Sequence, residues 1–358
     1  MRITIFSCFI LFLNTFLGLS VFAQHKPVLV IHGGAGTILK SQMTPELEAR
    51  YIAGLEEALK KGYAVLHAGG TSLDAVQASV QVLEDNPLFN AGKGAVFTNE
   101  GKNEMDAAIM NGKNLAAGAV AGVTTIRNPI TAARAVMEKS GHVMMVGPGA
   151  EKFAKLNGIT IVDPSYFYTE SRWKSLERMR KEDSLKAQTG HSDTMRKTSS
   201  LYKVSYSNPL DQNWKYGTVG AVSLDTHGNL AAATSTGGMS NKKFGRVGDA
   251  PLIGIGTYAN NATCAISCTG WGEYFIRLGM AKSVSDMMEF GKYSLKNASE
   301  EMIMKRLPAL GKTDGEVADG GLIAVDKNGN ISMPFNSAGM YRGYIDQNGK
   351  MEIKIYKQ

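Results

Sequence analysis

Apolar and polar positions divide the chain into a leading apolar run, a first structured stretch, a polar interruption and a second structured stretch. Residues 3–22 are predominantly apolar and follow a short basic start. Residues 27–31 read as a brief buried strand that runs into His32-Gly33-Gly34-Ala35-Gly36. Thr44-Pro45-Glu46 has the marks of a helix start, with a capping hydroxyl, a first-turn proline and an early acid. Thr71 and Asp74 carry a capping-box spacing and open a second helix. From Arg172 to Lys203 large apolar residues are scarce, and the stretch reads as a solvated linker that lacks the means to pack.

The strongest strand signals come next. Residues 218–225 and 229–236 form two strand-like segments around a Thr226-His227-Gly228 turn, a hairpin that would bring Thr236 back beside Thr218. Residues 237–249 are a glycine-studded loop, and residues 260–268 a further strand ending in Thr269-Gly270-Trp271-Gly272. Helices are expected over 273–280 and from the Ser283-x-x-Asp286 cap towards Pro308. Strands resume over 321–326 and 331–336, joined by an Asn328-Gly329-Asn330 turn. Two sheets covered by helices fit this order.

Composition narrows the class. The 358 residues carry 39 Lys and Arg against 32 Asp and Glu, a formal net charge of +7, and much of the basic excess lies in the polar interruption. No aromatic residues interleave with those bases in the manner of a base-stacking platform, so nucleic acid is not the expected partner. The basic start, apolar core and Val21-Phe22-Ala23 ending describe a signal peptide over residues 1–23, and hence an exported protein. The same run is long enough to serve as an uncleaved anchor. Past Cys8, only Cys264 and Cys268 remain. Four positions apart on a strand they would sit ~13 Å apart, beyond the reach of a disulfide, and read as buried inert thiols. No metal-ligand cluster, phosphate loop, internal repeat or Gly-x-Ser-x-Gly elbow occurs.

The candidate chemistry centres on Gly217-Thr218. A mid-chain threonine lacks a base, but cutting the bond before it leaves an α-amine of reference pKa about 7.7–8.0 that can take the hydroxyl's own proton. Arg246 and Asp249 in the glycine-rich loop match the carboxylate and ammonium of an amino-acid head group. The Thr269-Gly270 turn offers donors of the type that hold an oxyanion. His32 could be a base, but a histidine at a strand end before glycines favours a structural role.

These residues resemble the plant-type asparaginases, or isoaspartyl peptidases, of the N-terminal-nucleophile hydrolases. The resemblance is carried by residues 217–275 and by ordered pieces elsewhere, among them His32-Gly33-Gly34, Leu88-Phe89-Asn90-Ala91-Gly92, residues 117–123, Gly320-Gly321-Leu322 and Asn336-Ser337-Ala338-Gly339. It implies a four-layer αββα sandwich, cut between Gly217 and Thr218 into a large subunit (24–217, with a disordered linker over about 165–213) and a small one (218–358). Two of each would assemble as a dimer of heterodimers. By the same resemblance, Thr218 is the nucleophile and Thr236 orients its hydroxyl. Thr269 and the Gly270 N–H form the oxyanion hole, and Asn90 lies beside the nucleophile. Arg246, Asp249 and the Gly272 carbonyl bind the substrate head group. No cofactor is implied for catalysis. A structural sodium would be held by the carbonyls of Leu83, Glu84, Asn86, Phe89, Ala91 and Lys93, although Asn86 and Lys93 are atypical there. The expected activity is hydrolysis of β-aspartyl dipeptides and L-asparagine. A glycosylasparaginase and an uncleaved binding protein on the same scaffold are the alternatives.

Overall fold

The computed structural model describes residues 25–189, 217–315 and 317–357. The leading segment read as a signal peptide lies outside them. In chain order the first stretch forms β1 (Val28–Gly36), α1 (Pro45–His67), α2 (Ser72–Asp85), β2 (Met105–Asn111), β3 (Ala117–Val123), α3 (Pro129–Lys139), β4 (Met144–Val146), α4 (Gly147–Leu156) and α5 (Glu170–Thr189). The second begins with β5 (Val219–Leu224), β6 (Leu230–Thr236), β7 (Thr257–Ala259) and β8 (Cys264–Gly270). Helices α6 (Gly272–Leu278), α7 (Met280–Glu289), α8 (Leu295–Glu300) and α9 (Leu307–Asp314) follow, then β9 (Gly320–Asp326), β10 (Ile331–Ser332), β11 (Gly339–Ile345) and β12 (Met351–Tyr356).

Two sheets result, one of eight strands in the order β12-β11-β1-β5-β6-β2-β3-β4 and one of four in the order β10-β9-β8-β7. Helices α1, α2 and α3 cover the outer face of the larger sheet, and α7 and α8 pack on the smaller one. The inner faces meet where β1, β5 and β6 lie against β8 and β9. This is the four-layer αββα sandwich. Strand alternation builds it: Leu29, Ile31, Val219, Ala221, Ala231 and Ala233 join the core under the helices. Val28, Val30, Val222, Leu224, Leu230 and Ala232 join the core between the sheets. Strands buried on both faces have no reason to alternate with polar residues, which is why they read as continuous apolar runs.

The two anticipated helix starts are present. Thr44 accepts from the Leu47 N–H at 3.2 Å, with Pro45 in the first turn. Thr71 accepts from the Asp74 N–H at 3.2 Å and gives its own hydroxyl to the Asp74 carboxylate at 2.6 Å. The hairpin is also as expected, with Val219 opposite Ser235 and Leu224 opposite Leu230. Its turn is tied by Asp225, whose carboxylate accepts the N–H groups of His227 and Asn229 at 2.9 Å each.

Several expectations need correction. The expected linker over about 165–213 is not irregular throughout, because Pro164–Phe167 is a 3₁₀ turn and α5 occupies Glu170–Thr189. Phe167 and Leu176 are buried, and Arg172 donates to the Gly94 carbonyl at 3.0 Å. A few anchors at wide spacing hold a helix whose remaining surface is charged, so it lacked an apolar stripe to betray it. The linker's remainder, residues 190–213, lies outside the described residues. Ser283 does not cap a helix: α7 starts at Met280 after a left-handed Gly279 (φ 54°), and the Ser283 hydroxyl donates back to Leu278 at 2.8 Å. Nor does Pro308 end the helical run. It sits in the first turn of α9, and residues Glu301–Arg306 before it take a π-helical turn. Pro308 has no N–H for the carbonyl four residues back, and widening the helix accommodates that loss. The strand expected over 331–336 is only Ile331–Ser332, since Pro334 cannot donate to a ladder. Cys264 and Cys268 are buried, unbridged thiols whose burial raises both pKa values.

Candidate active site

The hairpin register sets Thr218 and Thr236 side by side on the strand faces turned towards the smaller sheet. The Thr218 hydroxyl donates to Thr236 Oγ1 at 3.2 Å, and the Thr236 hydroxyl donates to the Gly217 carbonyl at 2.9 Å. Asn90 Nδ2 reaches the same carbonyl at 2.8 Å and also the Gly238 carbonyl at 2.8 Å. Asn90 is fixed in turn by the Val96 N–H, which donates to its Oδ1 at 2.9 Å. The carbonyl that a Thr218 attack would strike therefore already carries two donors. All three side chains are almost fully buried.

Thr269 lies on β8 with the same parity as Ser267, whose hydroxyl meets His32 and Thr234 of the larger sheet. It faces across the inter-sheet gap, and its Oγ1 accepts the Ala35 N–H at 3.2 Å. The neighbouring Gly34 is close enough to the Gly217–Thr218 bond that a Cβ there would lie 3.3 Å from Gly217 Cα and 3.5 Å from Thr218 N. The end of β1 thus lies beside the Gly217-Thr218 junction and bonds to Thr269. Burial pushes His32 down to about 3, which leaves it neutral. Its Nε2 sits 2.8 Å from Ser267 Oγ, in keeping with a structural role.

Arg246 and Asp249 converge on Gly272. A Cβ at that position would lie 2.8 Å from Asp249 Oδ1, 2.9 Å from Arg246 Nη2 and 3.0 Å from Asp249 N. Only glycine leaves this corner open. Asp249 is buried, and desolvation pushes its carboxyl up to about 7, with the Arg246 guanidinium drawing it back. Its Oδ2 has no hydrogen-bond partner among the described residues, so the site holds one unmatched acceptor next to a guanidinium. Arg246 makes a forked pair with Glu273, both contacts at 2.8 Å. That partner was missed. In the sequence Glu273 marks only a helix start, and nothing in its spacing from Arg246 indicates a contact.

The six residues whose carbonyls could hold sodium form one continuous path from the end of α2 through a 3₁₀ turn at Gly92–Gly94. A Cβ at Gly92 would stand 2.3 Å from the Glu84 carbonyl oxygen, and one at Gly94 1.9 Å from that of Phe89. Glycines therefore let oxygens crowd inward, a donor set suited to a hard monovalent cation. The Glu84 side chain points elsewhere, accepting from Ser235 Oγ at 2.6 Å and the Ile130 N–H at 3.0 Å. Burial pushes it up to about 8, so it is largely neutral at pH 7. Among the described residues no cluster of three or more His, Cys, Asp or Glu side chains could hold a metal ion.

A four-layer sandwich with a buried Gly-Thr junction at the start of the central strand β5 defines a hydrolase of the N-terminal-nucleophile class. The sequence profile of the asparaginase family matches residues 25–355, and the chain belongs to that family. It is 50% identical to an isoaspartyl peptidase of Salmonella typhimurium over 94% of this chain and 100% of that one. It is likewise 50% identical to an isoaspartyl peptidase of Escherichia coli, over 93% of this chain and 97% of that one. A plant-type L-asparaginase of Pyrococcus furiosus is 45% identical over 90% of this chain and 97% of its own.

Proposed function

We propose that the protein is an isoaspartyl peptidase and L-asparaginase that cuts itself between Gly217 and Thr218. The observation that carries the reading is the convergence of Arg246, Asp249 and Gly272 in a corner where Asp249 Oδ2 lacks a partner among the described residues. A guanidinium beside a buried carboxylate suits an amino acid's carboxylate and ammonium. Names of the relatives favour β-aspartyl peptides and asparagine over glycosylated asparagine.

In self-cleavage, Thr218 Oγ attacks the Gly217 carbonyl carbon while Asn90 and Thr236 stabilise its oxygen. As the C–N bond breaks, the hydroxyl proton passes to the leaving nitrogen, which becomes the α-amine of Thr218, and water hydrolyses the resulting ester to free the Gly217 carboxylate and the Thr218 hydroxyl. In turnover, that amine takes the hydroxyl proton as Oγ bonds to the side-chain carbonyl carbon of the substrate. Thr269 and the Gly270 N–H hold the resulting oxyanion. The C–N bond then breaks, with the proton passing to the leaving nitrogen, and water releases aspartate from the acyl-enzyme. A sodium ion held by the carbonyls of Leu83, Glu84, Asn86, Phe89, Ala91 and Lys93 would brace the loop bearing Asn90, outside the chemistry. Residues 24–217 and 218–358 form the αβ unit, and two units pair.

The test is a substrate panel on the cleaved protein. β-Asp-Leu is expected to show higher kcat/KM than L-asparagine, and sugar-linked asparagine to be poor. The head-group clamp is indifferent to the leaving group, so this ranking reports the far side of the site. Ranking the glycosylated substrate first would move the reading to a glycosylasparaginase.

Acid should weaken the same reaction. The Asp249 carboxyl, raised to about 7, is protonated below that pH and then offers an ammonium no charge. The terminal amine of Thr218, a group of reference pKa about 7.7–8.0, would be protonated over the same range. kcat/KM is therefore expected to fall about tenfold or more per pH unit below about pH 7, measured with β-Asp-Leu. For stability the sign is opposite: an acid raised in the folded state binds a proton the unfolded chain has released, so its contribution declines as pH rises towards 7.

A further inference from the structure

The loop that carries Arg246 and Asp249 bends sharply at two non-glycine residues in the left-handed region, Asn241 (φ 60°) and Phe244 (φ 58°). Such conformations are costly for L-residues and persist where neighbours over-determine them. Between the bends, Lys242 turns inward, its side chain only 1% exposed, while Lys243 stays 44% exposed. Lys242 Nζ donates to the Glu104 carbonyl at 2.9 Å, which anchors the inner side of the loop.

The outer side is gripped through Asn241, and the grip comes from α5. Asn241 N–H donates to the Phe97 carbonyl at 2.9 Å. Its Oδ1 accepts from Asn99 Nδ2 at 2.7 Å, and its Nδ2 donates to Asp183 Oδ2 at 3.0 Å. The same Asp183 oxygen meets Lys243 Nζ at 3.3 Å. One helical turn earlier, Arg180 Nε donates to the Asn99 carbonyl at 3.0 Å, while Asn99 N–H donates to the Lys242 carbonyl at 2.8 Å. Asp183 and Arg180 thus hold both halves of one junction, one directly and the other through Asn99. Neither approaches Thr218 by any of these bonds.

We infer that Asp183 and Arg180 are positioning residues for the substrate head group: α5 braces Asn241 so that Arg246 and Asp249 are held for the α-carboxylate and α-ammonium. The inference rests on the head-group role proposed above. The Asp183–Lys243 pair is half exposed, a setting in which ion pairs contribute little to stability, so its removal should spare the fold. Its effect should instead appear as the cost of ordering the loop when substrate binds. Because α5 lies upstream of the Gly217-Thr218 junction, the large subunit would keep supplying this brace to a loop of the small subunit after cleavage.

The experiment compares Asp183→Ala, Arg180→Ala and Asp183→Asn with the parent, each as purified cleaved protein. For the two alanine variants, KM for β-Asp-Leu is expected to rise about tenfold with kcat within about twofold. Self-cleavage and Tm should be unchanged. Asp183→Asn keeps an oxygen to accept from Asn241 and should recover most of the loss. Unchanged KM in the alanine variants, or kcat and Tm falling together with it, would overturn the inference. Hydrogen exchange gives an independent reading: amides 241–248 should exchange faster in Asp183→Ala while those of α1 do not, and equal rates would refute the brace. If the parent fails to hydrolyse β-Asp-Leu, the proposed activity is at fault, and the exchange result still decides the brace.

Discussion

Thr218→Ala is expected to remain one uncut chain and to hydrolyse nothing above background, because one hydroxyl serves both reactions. On a denaturing gel the parent should run as two pieces, residues 24–217 and 218–358, with Thr218 as the new N-terminus by terminal sequencing. Removing a nucleophile that acts together with its base costs on the order of 10⁶ in kcat in subtilisin, and an effect of that order is expected here. In the uncut alanine chain, Asn90 and Thr236 would still clasp the Gly217 carbonyl, with 2.8 and 2.9 Å contacts that involve no Thr218 side-chain atom. The attacking oxygen alone would be missing. Thr218→Ser restores that oxygen without the methyl group that limits its rotamers, and should retain part of both reactions. An intact Thr218→Ala chain with parental activity would remove Thr218 from the mechanism.

What could be read from the sequence divides along the range of the interactions. The Thr218–Thr236 pairing was legible because a short turn closes the hairpin, and the turn residues and strand alternation lie within twenty positions. The head-group loop was legible from its glycines and the close spacing of Arg246 and Asp249. Glu273, by contrast, meets Arg246 only because α6, following β8, comes to lie beside the loop after β6, and no local pattern encodes that approach. Asp183 escaped for a related reason. It sits in a stretch whose composition suggests a solvated linker, and the role inferred for it comes from a contact with a loop 58 residues away. The C-terminal hairpin of β11 and β12 did carry a signal that was overlooked: Met351, Ile353 and Ile355 alternate with Glu352 and Lys354, the period of a strand with one face packed.

Arg246→Ala and Asp249→Ala should each lower kcat/KM steeply while leaving the cut at Thr218 intact. Truncating one partner of a buried, hydrogen-bonded charge pair costs about 2–5 kcal/mol, or roughly 10²–10³-fold for the middle of that range. The two variants should differ in kind. Arg246→Ala leaves Glu273, now unpaired, next to the substrate carboxylate, so like charges meet and every β-aspartyl substrate suffers equally. Asp249→Ala removes the acceptor for the ammonium, and should abolish the advantage of a free α-amine: an N-acetylated β-aspartyl dipeptide, expected to be inert with the parent, would no longer be worse than the free one. Comparing kcat/KM for the free and acetylated dipeptides in both variants measures this. A parent that hydrolyses the acetylated substrate as well as the free one would show that Asp249 does not receive the ammonium, and its unpaired oxygen would then need a different partner.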